Sequence, residues 1–324
     1  MKNRIKKMIV LAFVSVASLS LYAQSSFDGE IKNNSLAISH NERTAVVSYS
    51  DSTSIKVYDI TSGKMVQSIS GFINPRNILF SPDDNTIFIT DSSLGLVNVI
   101  DGNTFEIIKT FAVGYGAFGS ILSKDGAMLF VNNEAANTVT AINVITNEVK
   151  AVITGFSQPR QGIKLNADNT KLFVTNFFSD EITVVDVKSL KRESSVSGFN
   201  KLRAISITND GKTLYAANSG SNAIAVVDIP KARIISTIPV GKDPYGASLS
   251  PDETVLVSGN KVDNTLSVID VATRKVIYTI RGFKEPRQAI VFSKDGERIY
   301  VLNNDLTVGI VEKKTRNIIG LLPR

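Results

Sequence analysis

Four arginines close near-identical segments of this chain. Gly71 to Arg76, Gly155 to Arg160, Gly198 to Arg203 and Gly282 to Arg287 all read Gly-Phe-x-x-Pro-Arg, with Leu202 in place of proline in the third. A guanidinium is a planar fork of N–H donors that grips a carboxylate or phosphate at two points, so four brought to one rim would focus positive potential on an anion. The plainer use is pairing within the protein, because Asp91, Glu134, Asp180, Asp263 and Asp305 offer carboxylates in neighbouring loop segments. Phe118 and Tyr245 occupy the arginine's place in two further copies, and Tyr115 and Phe177-Phe178 stand in adjacent polar loops. Two outcomes are open for these rings, an aromatic wall against a ligand or packing within the loops. Phe72, Phe156, Phe199 and Phe283 follow the segment glycine every time, a regularity that predicts packing between structural units.

Other chemistries lack their residues. With no cysteine there is no disulfide, thiol nucleophile, thiolate metal site or acylated-cysteine anchor, and one histidine, His40, excludes most multi-histidine metal sites. His40 has no partner recognisable in sequence and is expected to be solvated. No phosphate-binding glycine loop, nucleophile elbow or calcium loop occurs. Neither a metal nor a cofactor is expected.

The elements that carry these residues follow from a repeat. A turn of the type Ser-Pro-Asp or Lys-Asp-Gly recurs at Asp83, Asp125, Asp168, Asp210, Asp252 and Asp295, at spacings of 42, 43, 42, 42 and 43, and one step back lands on Asn41. A second marker at Asp59, Asp101, Asn143, Asp186, Asp228, Asp270 and Glu312 follows each by 17 or 18 residues. The carboxylates of this second set are followed three residues later by Ser or Thr, Lys231 excepted, and so predict turns that satisfy their own backbone rather than a catalytic set. Each unit holds four short strands, illustrated by the fifth copy: Ala204 to Thr208, Thr213 to Ala217, Ala223 to Asp228 and Ile234 to Val240, with Asn209-Asp210-Gly211 as the first turn. No helical period intervenes. Four antiparallel strands per unit of about 40 to 45 residues, in seven copies, predict an all-β fold, a seven-bladed β-propeller of four-stranded antiparallel blades spanning 35–324. In such a ring the arginine segments run from the outer strand of one blade to the inner strand of the next, which sets each arginine near the mouth of the central channel. The sequence shows no strand exchanged between the first and last blades.

Ahead of the repeats, Lys2, Arg4, Lys6 and Lys7 precede an uncharged run from Met8 to Tyr22 that ends at Ala23. This pattern predicts a secretory leader over 1–23, followed by a lead-in over 24–34. The run is too short to span a bilayer, and no other run is long enough. The 324-residue chain carries +6, from 36 basic and 30 acidic residues. Subtracting the four basic leader residues leaves 32 against 30, or +2. Bulk charge therefore argues little for nucleic acid.

Phe130-Val131-Asn132, Phe173-Val174-Thr175-Asn176, Tyr300-Val301-Leu302-Asn303 and Val240-Gly241-Lys242-Asp243-Pro244-Tyr245-Gly246 resemble the YVTN family of β-propeller repeats, over about residues 35 to 324. The resemblance covers YncE-like proteins, archaeal surface-layer propellers and, at greater distance, lactonase propellers. It implies a periplasmic or cell-surface location. It is specific for fold and poor for activity, because propellers host hydrolases, cofactor enzymes and inert platforms alike. The four Gly-Phe-x-x-Pro-Arg segments depart from the family's Val-Gly-x-x-Pro.

The sequence thus predicts an exported, monomeric binding module, leaning away from an enzyme, with Arg76, Arg160, Arg203, Arg287, Phe118, Tyr245, Phe177 and Phe178 as ligand-binding residues. Its expected partner is an anionic small molecule, a glycan or an envelope protein. A lactonase-like hydrolase is the first alternative. Single-stranded nucleic-acid binding is the second and is disfavoured by the mature charge.

Overall fold

The computed structural model describes residues 34–324. The expected leader over 1–23, and all but Asn34 of the expected lead-in, lie outside the described residues. The described chain forms seven four-stranded antiparallel sheets, each made of four consecutive strands. The fifth blade comprises Leu202–Ile207, Thr213–Asn218, Ala223–Asp228 and Arg233–Pro239, close to the sequence reading, with its inner strand starting two residues earlier. Among the described residues the one helical element is a 3-10 turn at Ser219–Ser221, in the loop between the second and third strands.

Burial follows position in the blade. Ala223 to Val227 of the third strand are all buried, because a neighbouring blade covers each face, whereas the outer strand Arg233–Pro239 alternates between exposed and covered residues. The apolar clusters lie between blades. One joins Phe130 and Ala141 of the third blade to Leu172 and Val174 of the fourth, and Phe156 from the segment between them fills the gap. Phe72, Phe199 and Phe283 do the same at their junctions, each under 10% exposed, as their regular recurrence predicted.

Among the described residues no strand is exchanged to close the ring. Leu36, Ala45, Val47 and Tyr58 of the first blade pack directly on Ala289, Tyr300, Leu302 and Val308 of the last. Asn34 Nδ2 donates to the Asn303 carbonyl at 3.2 Å, and Glu42 accepts from the Lys294 N–H and pairs with Arg298 at 3.2 Å. Glu42 belongs to a set. It, Asp84, Asn169 and Glu253 hold the left-handed turn position that Gly126, Gly211 and Gly296 fill in the other copies, and each accepts a backbone N–H from the turn of the preceding blade. His40 is drawn into this scheme. Its imidazole is 58% exposed, as expected, but Nδ1 lies 2.8 Å from Asp84 Oδ1, a partner in the next blade that sequence could not supply.

The recurring carboxylates turn inward on their own loops. Asp59, Asp101, Asp186, Asp228 and Asp270 accept side-chain and backbone hydrogen bonds from residues two or three positions on, and these bonds hold their pKa values below the ordinary carboxylate range.

Candidate functional site at the channel mouth

The inner strands surround a channel, and the junction segments enter it at one end. Pro159–Leu165 pairs with Lys171–Asn176, but the register slips between Pro159 and Ile163, so Arg160, Gln161 and Gly162 bulge out of the ladder. The same slip brackets Arg76-Asn77 and Arg203-Ala204. A bulge frees the backbone to re-aim side chains at the rim. Phe118 and Tyr245 stand at the equivalent place in the third and sixth blades, between Ala117 and Ser120 and between Pro244 and Ser248.

The structure brings seven of the eight sequence-predicted residues into two stacked groups. Arg160 lies 3.4 Å from the Phe177 ring centre, and Arg203 lies 4.8 Å from the opposite neighbour Tyr245 and 4.8 Å from Phe177 itself. Arg287 completes the row at 5.7 Å from Tyr245, so two rings link three guanidiniums across four blades. Arg76 sits over Phe118 at 4.7 Å. Each such contact is worth about 0.5–2 kcal/mol and fixes the plane of the guanidinium. Phe178 is displaced from the row at 75% exposure, as is Tyr115, so the rings form intercalated supports for the arginines rather than a continuous aromatic wall.

The loop carboxylates are mostly used elsewhere. Glu134 pairs with Arg160 at 3.0 Å, the plainer use that the sequence left open. Asp91 instead accepts from the Ile73 and Asn74 N–H groups, Asp180 from Lys201 and Leu202, and Asp263 from Lys242, while Asp305 pairs with Lys284. Asp91, Asp180 and Asp263 thus fasten junction backbone, and Asp305 a junction side chain. Arg76 donates to Ser92 Oγ at 3.0 Å. Burial pulls its guanidinium down to about 10, with Arg160 adding repulsion against the opposing attraction of Glu134. It remains charged at neutral pH.

Below the arginines the sequence reading missed a second tier. Ser35, Asn77, Ser120, Gln161 and Gln288 line a cavity of about 230 Å³. Gln161 Nε2 donates to Asn77 Oδ1 at 2.5 Å and Asn77 Nδ2 to Ser120 Oγ at 3.0 Å, so a chain of amides and hydroxyls crosses from the fourth blade to the second. Gly119 permits this approach, since a Cβ there would stand 2.5 Å from the Gln161 carbonyl. The signal was available in the spacings. Both 43-residue intervals arise from one extra residue just after the junction arginine, in the bulge Arg160-Gln161-Gly162 and in Arg287-Gln288-Ala289 ahead of the strand Ile290–Phe292. Still deeper, Lys164 enters the lumen.

Among the described residues no helix is long and apolar enough to cross a membrane, and no three His, Cys, Asp or Glu side chains group where they could hold a metal.

Residues 186–291 match a family model described as Lactonase, 7-bladed beta-propeller. The chain is 30% identical over 94 residues, 29% of its length, to the protein YncE of Salmonella typhimurium (strain LT2), and 29% identical over 94 residues to YncE of Salmonella typhi. The match spans 26% of each of these relatives. Among solved structures, hydrazine synthase of Kuenenia stuttgartiensis superposes with a TM-score of 0.77 at 16% identity, covering 90% of this chain and 99% of that one. At that identity the likeness is one of fold.

Proposed function

We propose that this seven-bladed, YncE-like propeller is a binding module that holds an anionic group, carried by a small molecule or glycan, at its arginine-bearing mouth. The observation that supports it most is the row Arg160, Phe177, Arg203, Tyr245, Arg287, in which aromatic rings brace three like charges side by side. Like charges gathered on a partly buried rim repel one another and carry a desolvation cost, which Glu134 offsets in part at Arg160 and a bound anion would offset further. The lowered Arg76 pKa has the same origin. Fixed guanidinium planes lose little freedom on binding, which favours two-point contact with carboxylate or phosphate.

The test is isothermal titration with paired ligands that differ in charge alone, glucose 6-phosphate against glucose and gluconate against glucitol. Binding of the charged member, at least tenfold weaker in Arg203→Gln, supports the module. Equal binding of charged and neutral members refutes it. The lactonase match over residues 186–291 keeps hydrolysis as the second reading. Saturable turnover across a lactone panel would favour that reading, and a flat trace would count against it.

Export belongs to the same proposal and rests on the pattern Lys2 to Ala23. Protein expressed with its full chain should be recovered outside the cytoplasm beginning at Gln24. Recovery of cytoplasmic protein that retains Met1 would contradict it.

A further inference from the structure

Inner-strand residues paired with Phe88, Phe130, Phe173, Tyr215, Val257 and Tyr300 occupy one level of the channel, since each lies at the same step of its blade's ladder. They are Leu79, Ile121, Lys164, Ser206, Ser248 and Val291, and all six line the same cavity. Their chemistry is divided. Lys164, Ser206 and Ser248 belong to the fourth, fifth and sixth blades, and the three aliphatic side chains to the seventh, second and third. Among the described residues that line this cavity, Lys164 is the one that is ionisable.

Lys164 is exposed to water and yet surrounded by protein, as expected of a side chain that reaches into a narrow lumen. That enclosure lowers its pKa. It makes no ion pair or side-chain hydrogen bond with any described residue. The carboxylate nearest by cavity wall, Glu253 in the adjoining lower cavity of about 220 Å³, is engaged with the Asn209 N–H. An enclosed ammonium that pairs with no described carboxylate is a place where an anion gains the most. The aliphatic arc opposite favours a ligand that also carries apolar surface, which a bare inorganic anion does not.

We propose that the lower channel is a second site, for a small organic monocarboxylate with a short aliphatic body, whose carboxylate meets Lys164 while its body lies against Leu79, Ile121 and Val291. The site is separate from the arginine mouth. From Pro159 to Lys164 the paired strand advances three residues, Asn176 to Phe173, about 10 Å at ~3.3 Å per residue.

The probe is butyrate, titrated calorimetrically against butyramide and chloride. The proposal expects saturable butyrate binding, at least tenfold weaker for butyramide and for chloride, and at least tenfold weaker in Lys164→Met. Binding that survives Lys164→Met but is lost in Arg203→Gln would place butyrate at the mouth and overturn it, as would no saturable binding at all. A second measurement needs no variant. Reductive methylation of the native protein, read by mass spectrometry, should modify Lys164 several-fold more slowly under saturating butyrate, and an unchanged rate contradicts the site.

Discussion

The two ends of the channel are made by the same repeat and differ in what the repeat leaves over. At the hairpin-turn end, Asp83, Asp125, Asp168, Asp210, Asp252 and Asp295 each accept a Ser or Thr hydroxyl at 2.5–2.7 Å from their own turn, and the left-handed positions reach to the neighbouring blade. The six carboxylates do the same job in each copy, whereas only four of the seven left-handed positions, Glu42, Asp84, Asn169 and Glu253, carry the side chain that reaches across. At the arginine end the corresponding position changes from Arg to Phe, Arg, Arg, Tyr and Arg through the second to seventh blades. Identity across copies therefore marks structure, and variation at a fixed geometric position marks the candidate site.

That contrast breaks first where a repeated residue is removed. Phe283→Ala empties a site 4% exposed between the last two blades and should cost about 3–5 kcal/mol, read as a lower urea midpoint. An effect below 1 kcal/mol would show that the junction phenylalanines do not hold the ring. Asn176→Ala comes next. Its side chain accepts from the Ser157 N–H at 2.9 Å and donates to Thr183 Oγ1 at 2.8 Å, so about 1–3 kcal/mol should be lost by the same measurement.

Substitutions at the mouth should reverse the pattern. Arg203→Gln is expected to weaken the proposed anion binding at least tenfold, about 1.4 kcal/mol, while moving the urea midpoint by less than the Asn176 variant does. Phe177→Leu removes the ring shared by Arg160 and Arg203 and should weaken binding about threefold, a smaller loss because the charges remain. Equal losses of stability in both classes would erase the distinction between the two ends.

The smallest expected effect is in acid. Hydrogen bonds from Ser250 and Thr254 hold the Asp252 carboxyl down at about 2 against an ordinary 3.8. A depressed native pKa contributes stability above the unfolded value and loses it as pH falls through the native one. The stability difference between the native protein and Asp252→Asn should thus be constant above about pH 5 and shrink between about pH 4 and 2. A constant difference down to pH 2 would mean that the bonds do not favour the charged form.

Much of this was legible in the residues. Two markers holding phase across seven copies are enough to place turns, strands and junction phenylalanines, because a repeated local pattern needs no long-range information. The arginines, too, stood out by type and spacing. What could not be read were contacts between units: Phe177 intercalating between arginines of two blades, Asp84 meeting His40, and Asp180 fastening the backbone of Lys201 and Leu202. Those depend on how adjacent blades are rotated. Lys164 was overlooked for a different reason. It lies in an ordinary strand position, and only the ring's closure encloses it.

The central claim is that the arginine rim holds an anion. The most direct measurement is a thermal-shift comparison of residues 24–324 with the variant carrying Arg76→Gln, Arg160→Gln, Arg203→Gln and Arg287→Gln, across sugar phosphates, carboxylates, acidic glycans, lactones and short oligonucleotides. At about 100 times its dissociation constant a true ligand adds roughly 2.7 kcal/mol. Stabilisation by one anionic class, lost in the four-arginine variant, is the predicted result. Stabilisation that persists without the arginines, or none from any anion, contradicts it.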